Sequence, residues 1–399
     1  MFNRRQFLKS SSLVALTPTV PAFLQQTASA TEAEKHERIL VVVQLSGGND
    51  GLNTVVPFAD EAYQKHRRVL RLPTDRLHKV AEGIGLHPAM ENAAELFEDE
   101  RLSIVQGVGY PNPNRSHDVS MAIWQTARFD REEHNGFGWI GRSLDTLPAP
   151  KRNAPSSVLI GNQATPVALR GRKSRSSAFD TIGDMLTDIN LRPGPLPNGS
   201  ASESDGDLSS FINRTTVDAY ATADLLTDIV NQKKRESVSY PSSKLASQLR
   251  LVSQLIQADM GTRVYYAMQS GYDTHSVQLP SHSRLLRTLS QGLKAFLDDI
   301  AAAGLEDRVL VLCFSEFGRQ VQENASNGTD HGTAGPVFVA GKSVKGGLLG
   351  QHPELETLTN NAPEHTTDFR SVYASVLQEW LRIENAQVSG DFEPLQLFS

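Results

Sequence analysis

Carboxylates and imidazoles recur in four short segments, each rich in glycine or small polar residues. The segments are "SGGNDGLNTVVP" (46–57), "SGYDTHS" (270–276), "SEFGR" (315–319) and "GTDHGTAG" (328–335). Carboxylate oxygens and imidazole nitrogens are common protein ligands for divalent metal ions. We therefore predict a metal site, with candidate ligands Asp50, Asp273, His275, Glu316, Asp330 and His331. The ligand types leave zinc, manganese, magnesium and calcium all open.

Each of these residues also has an ordinary structural role open to it. Asp50 fits a tight turn, since asparagine, aspartate and glycine tolerate left-handed backbone. Glu316 could be balanced by Arg319, three residues later. Asp273 and His275 could be a solvated loop pair. Asp330 and His331 could form a turn in which the histidine is exposed. The metal interpretation is favoured for Asp273 and His275 because side chains two apart on an extended segment can face one cation.

The segment "NPNRSHDVSMAIWQTA" (112–127) places a hydroxyl just before a predicted helix. A helix N-terminus favours negative charge, so the Ser116 hydroxyl could act as a nucleophile toward an anionic substrate. The alternative is helix capping, in which the same side chain accepts a hydrogen bond from a free backbone N–H. His117 is the adjacent catalytic candidate. Arg115 or Arg319 could bind the oxygens of the anion through two N–H groups.

Six apolar runs predict the strands that position these residues. They are "ILVVVQL" (39–45), "LSIVQGV" (102–108), "SVLIG" (157–161), "RVYYAMQ" (263–269), "RVLVLCF" (308–314) and "PVFVAG" (336–341). Near-continuous apolar strands are typical of a sheet that is buried on both faces. Ligands of open α/β sheets bind beyond the carboxyl ends of the strands, where several of the candidate residues stand.

Three segments, 243–260, 281–303 and 367–383, repeat apolar residues at steps of three and four, which predicts amphipathic helices. Strands that alternate with such helices indicate a three-layer α/β sandwich with a mostly parallel central sheet. A loop rich in proline, glycine and serine lies within roughly 170–260. We interpret that region as an insertion or lid on a single domain that spans residues 31–399.

The first 30 residues have the features of an export signal. Arg4 and Arg5 begin "RRQFLK", which closely matches the twin-arginine consensus, and "ASA" at 28–30 is typical of a cleavage site. The apolar stretch between them is too short to be a stable membrane anchor. We predict a twin-arginine signal peptide at residues 1–30, the twin-arginine translocase as export partner, and a periplasmic or secreted protein.

Composition and charge exclude some classes of function. The chain is 39% hydrophobic and 21% charged, as in ordinary globular proteins. Removing residues 1–30 would delete three basic residues and no acid, which takes the formal net charge from −6 to −9. Such an acidic protein is a poor candidate for binding nucleic acid. The single cysteine, Cys313, excludes an intrachain disulfide.

In chain order, the motifs of this sequence resemble a known family. They are "LSGGNDGLNTVVP", "LHPAM", "NPNRSHDVSMAIWQTA", "GFGWIGR", "GYDTHS", "SEFGR" and "GTDHGTAGPVFVAG". Together they are similar to the bacterial twin-arginine-exported proteins that carry domain of unknown function 1501, within the alkaline phosphatase-like superfamily. The resemblance implies an alkaline phosphatase-like α/β fold over nearly the whole mature chain.

The same resemblance implies two metal ions at the carboxyl edge of the sheet and a hydroxyl or thiol nucleophile at a helix start. On this basis Asp50 resembles the metal aspartate of the first strand and Ser116 resembles the nucleophile. Asp273 and His275 resemble the ligands of one metal, and His331 resembles a late histidine ligand.

The chain departs from the pattern of the resemblance in three ways. Asp118 stands where the family usually has phenylalanine after Ser-His, and Asp273 and His275 are more tightly spaced than the corresponding phosphatase ligands. Where phosphatases have Asp-His, this chain has Glu316 followed by Phe317, so one histidine ligand is absent there. His117 or Asp330 is left to replace it.

These observations predict an exported metal-dependent hydrolase that acts on a small phosphoric or sulfuric ester. Metal ions would activate Ser116 and neutralise the charge of the transferred group. The alternative, from a different class, is a non-catalytic exported binding or scaffold protein that keeps the fold. The absence of the Asp-His pair supports this alternative.

Overall fold

The computed structural model describes residues 37–134, 136–150, 154–181, 238–384, 388 and 390–399. The predicted signal peptide at 1–30 lies outside the described residues, as does 182–237, the middle of the predicted insertion. Within the described ranges, no helix combines the length and the apolar character needed to cross a membrane.

The secondary structure of the described residues alternates strands and helices. The strands are β1 (Ile39–Ser46), β2 (Val55–Val56), β3 (His78–Ala81), β4 (Ile84–Leu86), β5 (Leu102–Gly109), β6 (Ser157–Ile160), β7 (Ser176–Phe179), β8 (Val264–Ser270), β9 (Val309–Phe314), β10 (Arg319–Glu323), β11 (Thr329–His331), β12 (Gly335–Ala340), β13 (Gly347–Leu349), β14 (Leu358–Thr359), β15 (Ala362–Pro363) and β16 (Thr367–Asp368). The α-helices are α1 (Glu61–His66), α2 (Glu91–Glu98), α3 (His117–Thr126), α4 (Trp139–Leu144), α5 (Lys244–Gln257), α6 (Gln278–Ala302) and α7 (Phe369–Ala374), followed directly by a π-helix (Ser375–Leu381). Short 3₁₀ turns cover Gly51–Asn53, Thr74–Arg76, Arg131–Glu133, Val167–Leu169 and Glu306–Arg308.

The central sheet has nine strands in the described part of the chain, and all six predicted strands belong to it. Its order is β13-β5-β12-β9-β1-β8-β6-β7, with β16 beside β5. Strand β12 pairs antiparallel with both β5 and β9, and the other pairings are parallel. The prediction of a mostly parallel sheet is confirmed.

Strand β1 shows why the sheet is buried on both faces. Because successive side chains of a strand point to opposite faces, the apolar side chains of β1 pack into two separate cores. Val41 packs in one core with residues of α2, α5 and α6, whereas Leu40 packs in the other with residues of α3, α7 and the π-helix. These two helical layers around one sheet form the predicted three-layer sandwich. Each fully buried aliphatic side chain contributes about 1.5–3 kcal/mol to this packing.

The three predicted helices are present, and one of them is divided. Helix α5 begins at a capped end, since the Ser243 hydroxyl accepts a hydrogen bond from Ala246 N. The predicted helix at 367–383 is divided into α7 and the π-helix, a change of winding that an apolar pattern does not reveal. Strand β7 and helix α5 lie inside the range 170–260 but belong to the sheet and its helical layer.

The carboxyl ends of β1, β8 and β9 meet at one edge of the sheet. Ser46 pairs with Ser270, and Gln44 pairs with Phe314, so the loops that follow these strands leave side by side. Strand β12 runs the opposite way, so its first residues lie at the same edge, just after the hairpin of β10 and β11. Helix α3 enters this edge from the end of β5.

Candidate metal centre

Three histidines converge on the carboxylate of Asp273 at this edge. His331 Nε2 lies 3.1 Å from Asp273 Oδ1, His275 Nε2 lies 3.0 Å from the same oxygen, and His117 Nε2 lies 3.4 Å from Oδ2. One ligand atom each from His117, Asp273 and His331 lie within 4.8 Å of one another. Asp273 comes from the loop after β8, His331 ends β11, and His117 begins α3. The sequence therefore brings distant segments to one point.

The other ring nitrogen of each histidine faces an oxygen that can only accept a hydrogen bond. His117 Nδ1 lies 2.8 Å from Glu316 Oε1, His331 Nδ1 lies 2.8 Å from the Arg115 carbonyl, and His275 Nδ1 lies 3.2 Å from Asp330 Oδ1. A carbonyl oxygen accepts only, and so does an ionised carboxylate, so we assign the ring hydrogens to Nδ1. The Nε2 atoms of the neutral rings are then left as lone-pair donors.

These Nε2 atoms fit a divalent metal ion better than they fit one another. His275 Nε2 and His331 Nε2 are 2.9 Å apart, where two lone pairs repel unless a cation or a proton lies between them. His117 Nε2 is buried and makes no hydrogen bond with the described residues. Imidazole nitrogens whose Nδ1–H groups donate to oxygen are the usual arrangement of histidine ligands. The residues present therefore fit one metal ion.

Glu316, one of the predicted ligands, lies behind His117 and outside the group formed by His117, Asp273 and His331. Its carboxylate is buried and accepts hydrogen bonds from Gly47 N at 2.9 Å and from the Ser315 hydroxyl at 3.0 Å, besides the contact with His117. The hydrogen bond to Glu316 raises the pKa of His117. Glu316 thus fixes the ring and increases its basicity.

Asp330, another of the predicted ligands, holds an equivalent position behind His275. Its Oδ1 atom accepts from Asn324 Nδ2 at 3.1 Å and faces His275 Nδ1. The Asn324 hydrogen bond is the largest cause that lowers the pKa of Asp330. Two predicted carboxylate ligands therefore contact histidines at the edge of the cluster, and the ligand atoms that lie within 4.8 Å of one another belong to His117, Asp273 and His331.

Asp50 is not brought to the cluster as a free ligand. Arg67, which the sequence analysis did not identify, donates to both carboxylate oxygens, at 2.6 Å to Oδ2 and 3.0 Å to Oδ1. Gln278 donates to the same carboxylate, and the whole group is buried. Although burial opposes ionisation, the paired guanidinium keeps the pKa of Asp50 low. The charge of Asp50, a predicted metal ligand, is therefore balanced by the guanidinium of Arg67.

Arg319 is buried beneath Asp273, which argues against its predicted role in binding a substrate anion. Its guanidinium donates to the carbonyls of Gly48 at 2.7 Å, Thr329 at 2.8 Å and Tyr272 at 3.0 Å, and to Asp273 Oδ1 at 2.7 Å. Burial alone would raise the pKa of Asp273, but the hydrogen bond and the charge of Arg319 oppose this effect, and that pKa falls to about 2. Arg319 is a positioning residue for Asp273.

Ser116 and Arg115 lie at the rim of the centre. Ser116 is exposed at the start of α3, and its hydroxyl makes no capping hydrogen bond. Arg115 donates from Nη2 to the Thr359 carbonyl at 3.0 Å, and the rest of its side chain is partly exposed. In the sequence, Ser116 therefore lies between Arg115, whose carbonyl contacts His331, and His117, which belongs to the cluster.

Phe317 follows Glu316, at the position where the sequence resemblance predicted a histidine. Its ring is buried and packs against the rings of His117 and His331, with centroid distances of 5.0 and 4.8 Å. The Phe317 ring is an apolar surface against which both imidazoles pack. His117, one of the two replacements that the sequence left open, supplies the imidazole from α3.

The close approach of two loops depends on Gly47. Its φ of +121° is unfavourable for residues with a side chain, and a Cβ there would lie 2.3 Å from Asp273 N. Gly47 N also donates to Glu316. The glycine-rich loop after β1 therefore supports the centre through its backbone and does not supply a ligand.

Sequence reasoning missed Arg67 and the supporting roles of Glu316 and Asp330. The supporting role of Glu316 was signalled only by its position, directly after a buried strand, where a carboxylate needs a partner. Arg67 has no comparable signal, because it is 17 positions from Asp50 on a short helix end.

The comparisons with known proteins give a family and a general likeness of fold. Residues 37–379 match the family described as "Protein of unknown function (DUF1501)". A search of curated protein sequences gave no match.

Several solved structures align over most of the chain at low identity. The C-terminal periplasmic domain of EptC from Escherichia coli, in complex with zinc, is 9% identical over 77% of this chain and 74% of that chain, with a TM-score of 0.35. The PsFucS1 sulfatase from Pseudoalteromonas sp. is 9% identical over 92% and 70%, with a TM-score of 0.37. Murine ectonucleotide pyrophosphatase/phosphodiesterase 5, in complex with AMP, is 10% identical over 88% and 96%, with a TM-score of 0.38. At these values no chemistry is transferred, and the centre is interpreted from its own atoms.

Proposed function

Since this chain belongs to the DUF1501 family of proteins of unknown function, we propose that it is an exported metal-dependent hydrolase of phosphoric or sulfuric esters, with Ser116 as its nucleophile. One observation carries the proposal. Three imidazoles turn their Nε2 atoms toward Asp273, with their Nδ1 atoms held by oxygens, beside an exposed serine hydroxyl at a helix start.

The proposed ligands of the ion are His117, Asp273 and His331, with His275 at their side. Because Arg67 already neutralises Asp50, we propose one ion per chain and not two. Imidazole donors favour zinc among the four predicted metals, since magnesium and calcium prefer oxygen. The bound ion would supply Lewis acidity and positive charge at the transferred group.

Ser116 is placed to act on an ester bound at the start of α3. The free backbone N–H groups of the first turn of this ten-residue helix would hold the anionic oxygens. The Ser116 oxygen would form a bond to phosphorus or sulfur as the bond to the alcohol oxygen breaks, and the alcohol would leave with the serine proton. Water would then hydrolyse the serine ester, which releases the inorganic acid and restores the hydroxyl.

The alternative is an exported binding or scaffold protein that holds a metal ion without turnover. Two observations favour it: Phe317 fills the position of a superfamily histidine, and Asp50 is paired with Arg67. Both leave fewer ligands than the two-metal site that the resemblance implies.

Metal analysis followed by turnover assays separates the two functions. Protein lacking residues 1–30 would be loaded with zinc, and its zinc content and hydrolysis of phosphomonoester, phosphodiester and sulfate ester panels would be measured. We expect one zinc per chain, lost in His331→Ala but kept in His66→Ala, a histidine outside the centre. We expect turnover that Ser116→Ala abolishes while zinc stays bound.

Each outcome of these assays bears on a different part of the proposal. Zinc binding without turnover on any panel favours the scaffold function. Turnover that is unchanged in Ser116→Ala removes the serine from the mechanism. No zinc binding removes the centre itself.

Export by the twin-arginine translocase is part of the same proposal and rests on Arg4 and Arg5. Cells that express the full chain should contain the protein in the periplasmic or secreted fraction, and Arg4→Lys with Arg5→Lys should retain it in the cytoplasm. Equal export of both forms would remove the twin-arginine assignment.

A further inference from the structure

A polar cavity of about 460 Å³ adjoins the candidate metal centre. Its volume is within the range of small-molecule sites, roughly 300–1,000 Å³. The side chains that matter here are Asn112, Arg115, Thr359, Asn360, Glu364 and His365. Arg115 belongs to both sites, because its carbonyl accepts the Nδ1–H of His331 at 2.8 Å while its side chain lines the cavity.

Part of the cavity wall is braced by hydrogen bonds of its own. Arg115 Nη2 donates to the Thr359 carbonyl at 3.0 Å, and the Thr359 hydroxyl donates to Glu364 Oε1 at 2.6 Å. These contacts link the segment before α3 to the hairpin of β14 and β15. These two hydrogen bonds connect three of the residues that line the cavity.

The remaining polar groups of the cavity are available to a ligand. Asn112 and Asn360 are exposed, and their side-chain amides make no hydrogen bond with any described residue; neither does the imidazole of the half-buried His365. Each amide offers two N–H donors and a carbonyl acceptor. Such a set pairs with hydroxyl groups, which both donate and accept.

The lining also argues against other ligand classes. An apolar alcohol would cover the two amides without pairing them, and a buried unpaired polar group costs affinity. A second anionic group would lie beside the carboxylate of Glu364 as well as the guanidinium of Arg115, which already donates to the Thr359 carbonyl. An uncharged alcohol with several hydroxyl groups would form hydrogen bonds with the amides. It would leave no amide unpaired and would bring no second negative charge near Glu364.

We propose that this cavity binds the alcohol part of the ester and that this part carries several hydroxyl groups, as a sugar does. The inference rests on the proposed hydrolase function, because the cavity would receive the group that leaves when Ser116 attacks. It names the substrate class of that site as phosphate or sulfate esters of a polyhydroxylated alcohol.

The backbone of the cavity offers a clean way to remove the amides. Asn112 and Asn360 have φ values of 52° and 51°, in the left-handed region that glycine adopts without strain. Substitution by glycine therefore removes each side chain and keeps the backbone. Asn361, with φ 63°, is the matched control, because it is exposed, adjacent and outside the cavity lining.

The test compares glucose 6-phosphate and glucose 6-sulfate with phenyl phosphate and phenyl sulfate on zinc-loaded protein. In Asn360→Gly, and separately in Asn112→Gly, we expect the KM for the glucose ester to rise about tenfold relative to the KM for the phenyl ester. Asn361→Gly should leave this ratio at the wild-type value. The same four esters are also titrated by calorimetry into Ser116→Ala protein, with and without each cavity substitution.

The binding titration distinguishes failure of the cavity from failure of the hydrolase. If no ester is hydrolysed but glucose esters bind more tightly than phenyl esters, and Asn360→Gly removes the difference, the cavity assignment holds and the hydrolase is lost. If esters are hydrolysed but the cavity substitutions do not change the ratio, the assignment is overturned and the hydrolase stands. Equal binding of glucose and phenyl esters to Ser116→Ala also overturns it.

Discussion

Asp50 and Asp273 follow neighbouring parallel strands, and each has an arginine beside it, yet their surroundings differ. Arg67 takes both oxygens of Asp50, and that side chain is fully buried. Arg319 takes only Oδ1 of Asp273, whose side chain is 47% exposed and whose Oδ2 faces His117. Asp273 therefore keeps one oxygen that its arginine does not take, whereas Asp50 keeps none.

The largest effect is expected from breaking the Asp50 pair. Arg67→Met leaves a buried charge without a partner, which should lower the free energy of unfolding by about 3–5 kcal/mol. Urea denaturation of the zinc-free protein measures this loss. The double variant Asp50→Asn with Arg67→Met removes both charges and should recover most of it. A loss below about 1 kcal/mol in Arg67→Met would show that the pair is not a main support of the fold.

Acid should weaken the Asp50 region through His282. Burial lowers the pKa of His282 to about 4, from about 6.5 in the unfolded chain. The unfolded state therefore binds a proton first, and stability is present above pH 6.5 and lost as the pH falls toward 4. The loss from this residue is on the order of 3 kcal/mol.

Denaturation of the zinc-free protein at pH 7 and pH 4.5 measures this pH dependence. In His282→Gln the decrease on acidification should be smaller, whereas His66→Gln, at a partly exposed position, should behave as the wild type does. An equal decrease in all three proteins would assign the acid sensitivity to other groups.

At the metal centre, Glu316→Gln should weaken zinc binding about 10- to 100-fold, because a carboxylate behind a histidine ligand orients the ring and increases its basicity. Competition with a chelator of known affinity measures the change. Glu98→Gln, an exposed substitution on α2, should leave the affinity unchanged. An unaffected affinity in Glu316→Gln would place His117 outside the ligand set.

The smallest effect is expected from Asp330→Asn. Its side chain is 53% exposed, and a neutral amide oxygen can still accept the hydrogen bond of His275 Nδ1. The same chelator competition should show a loss of zinc affinity below about tenfold. A loss as large as that of Glu316→Gln would mean that His275 contributes as much as His117.

The fold was accessible to sequence reasoning because burial on two faces leaves a strong signal. The apolar run 39–45 could only belong to a covered strand, and its position predicted the edge at which Asp273 and His331 meet. The orientation of β12 carried no such signal, since an apolar strand reads the same in either direction. The division of 367–383 between α7 and a π-helix was equally invisible in an apolar pattern.

The sequence indicated which strand ends would meet but not which contacts the candidate residues make there. Spacing showed that Asp273, His275 and His331 stand at strand ends, and the structure brings them together. Which carboxylate binds metal and which supports a histidine depends on distances of a few ångströms between segments far apart in sequence. Glu316 and His117 are 199 positions apart, so no local pattern could reveal their contact.

Arg319 also has a consequence for how fast the centre could take up an ion. Its guanidinium donates to the carbonyls of Gly48, Tyr272 and Thr329. These contacts connect the loops that follow β1 and β8 to the first residue of β11. The loops are held before any ion arrives, so we expect the rate of zinc uptake to depend on shedding of water by the ion and not on ordering of the chain. Amide hydrogen exchange in these loops should then be nearly the same with and without zinc.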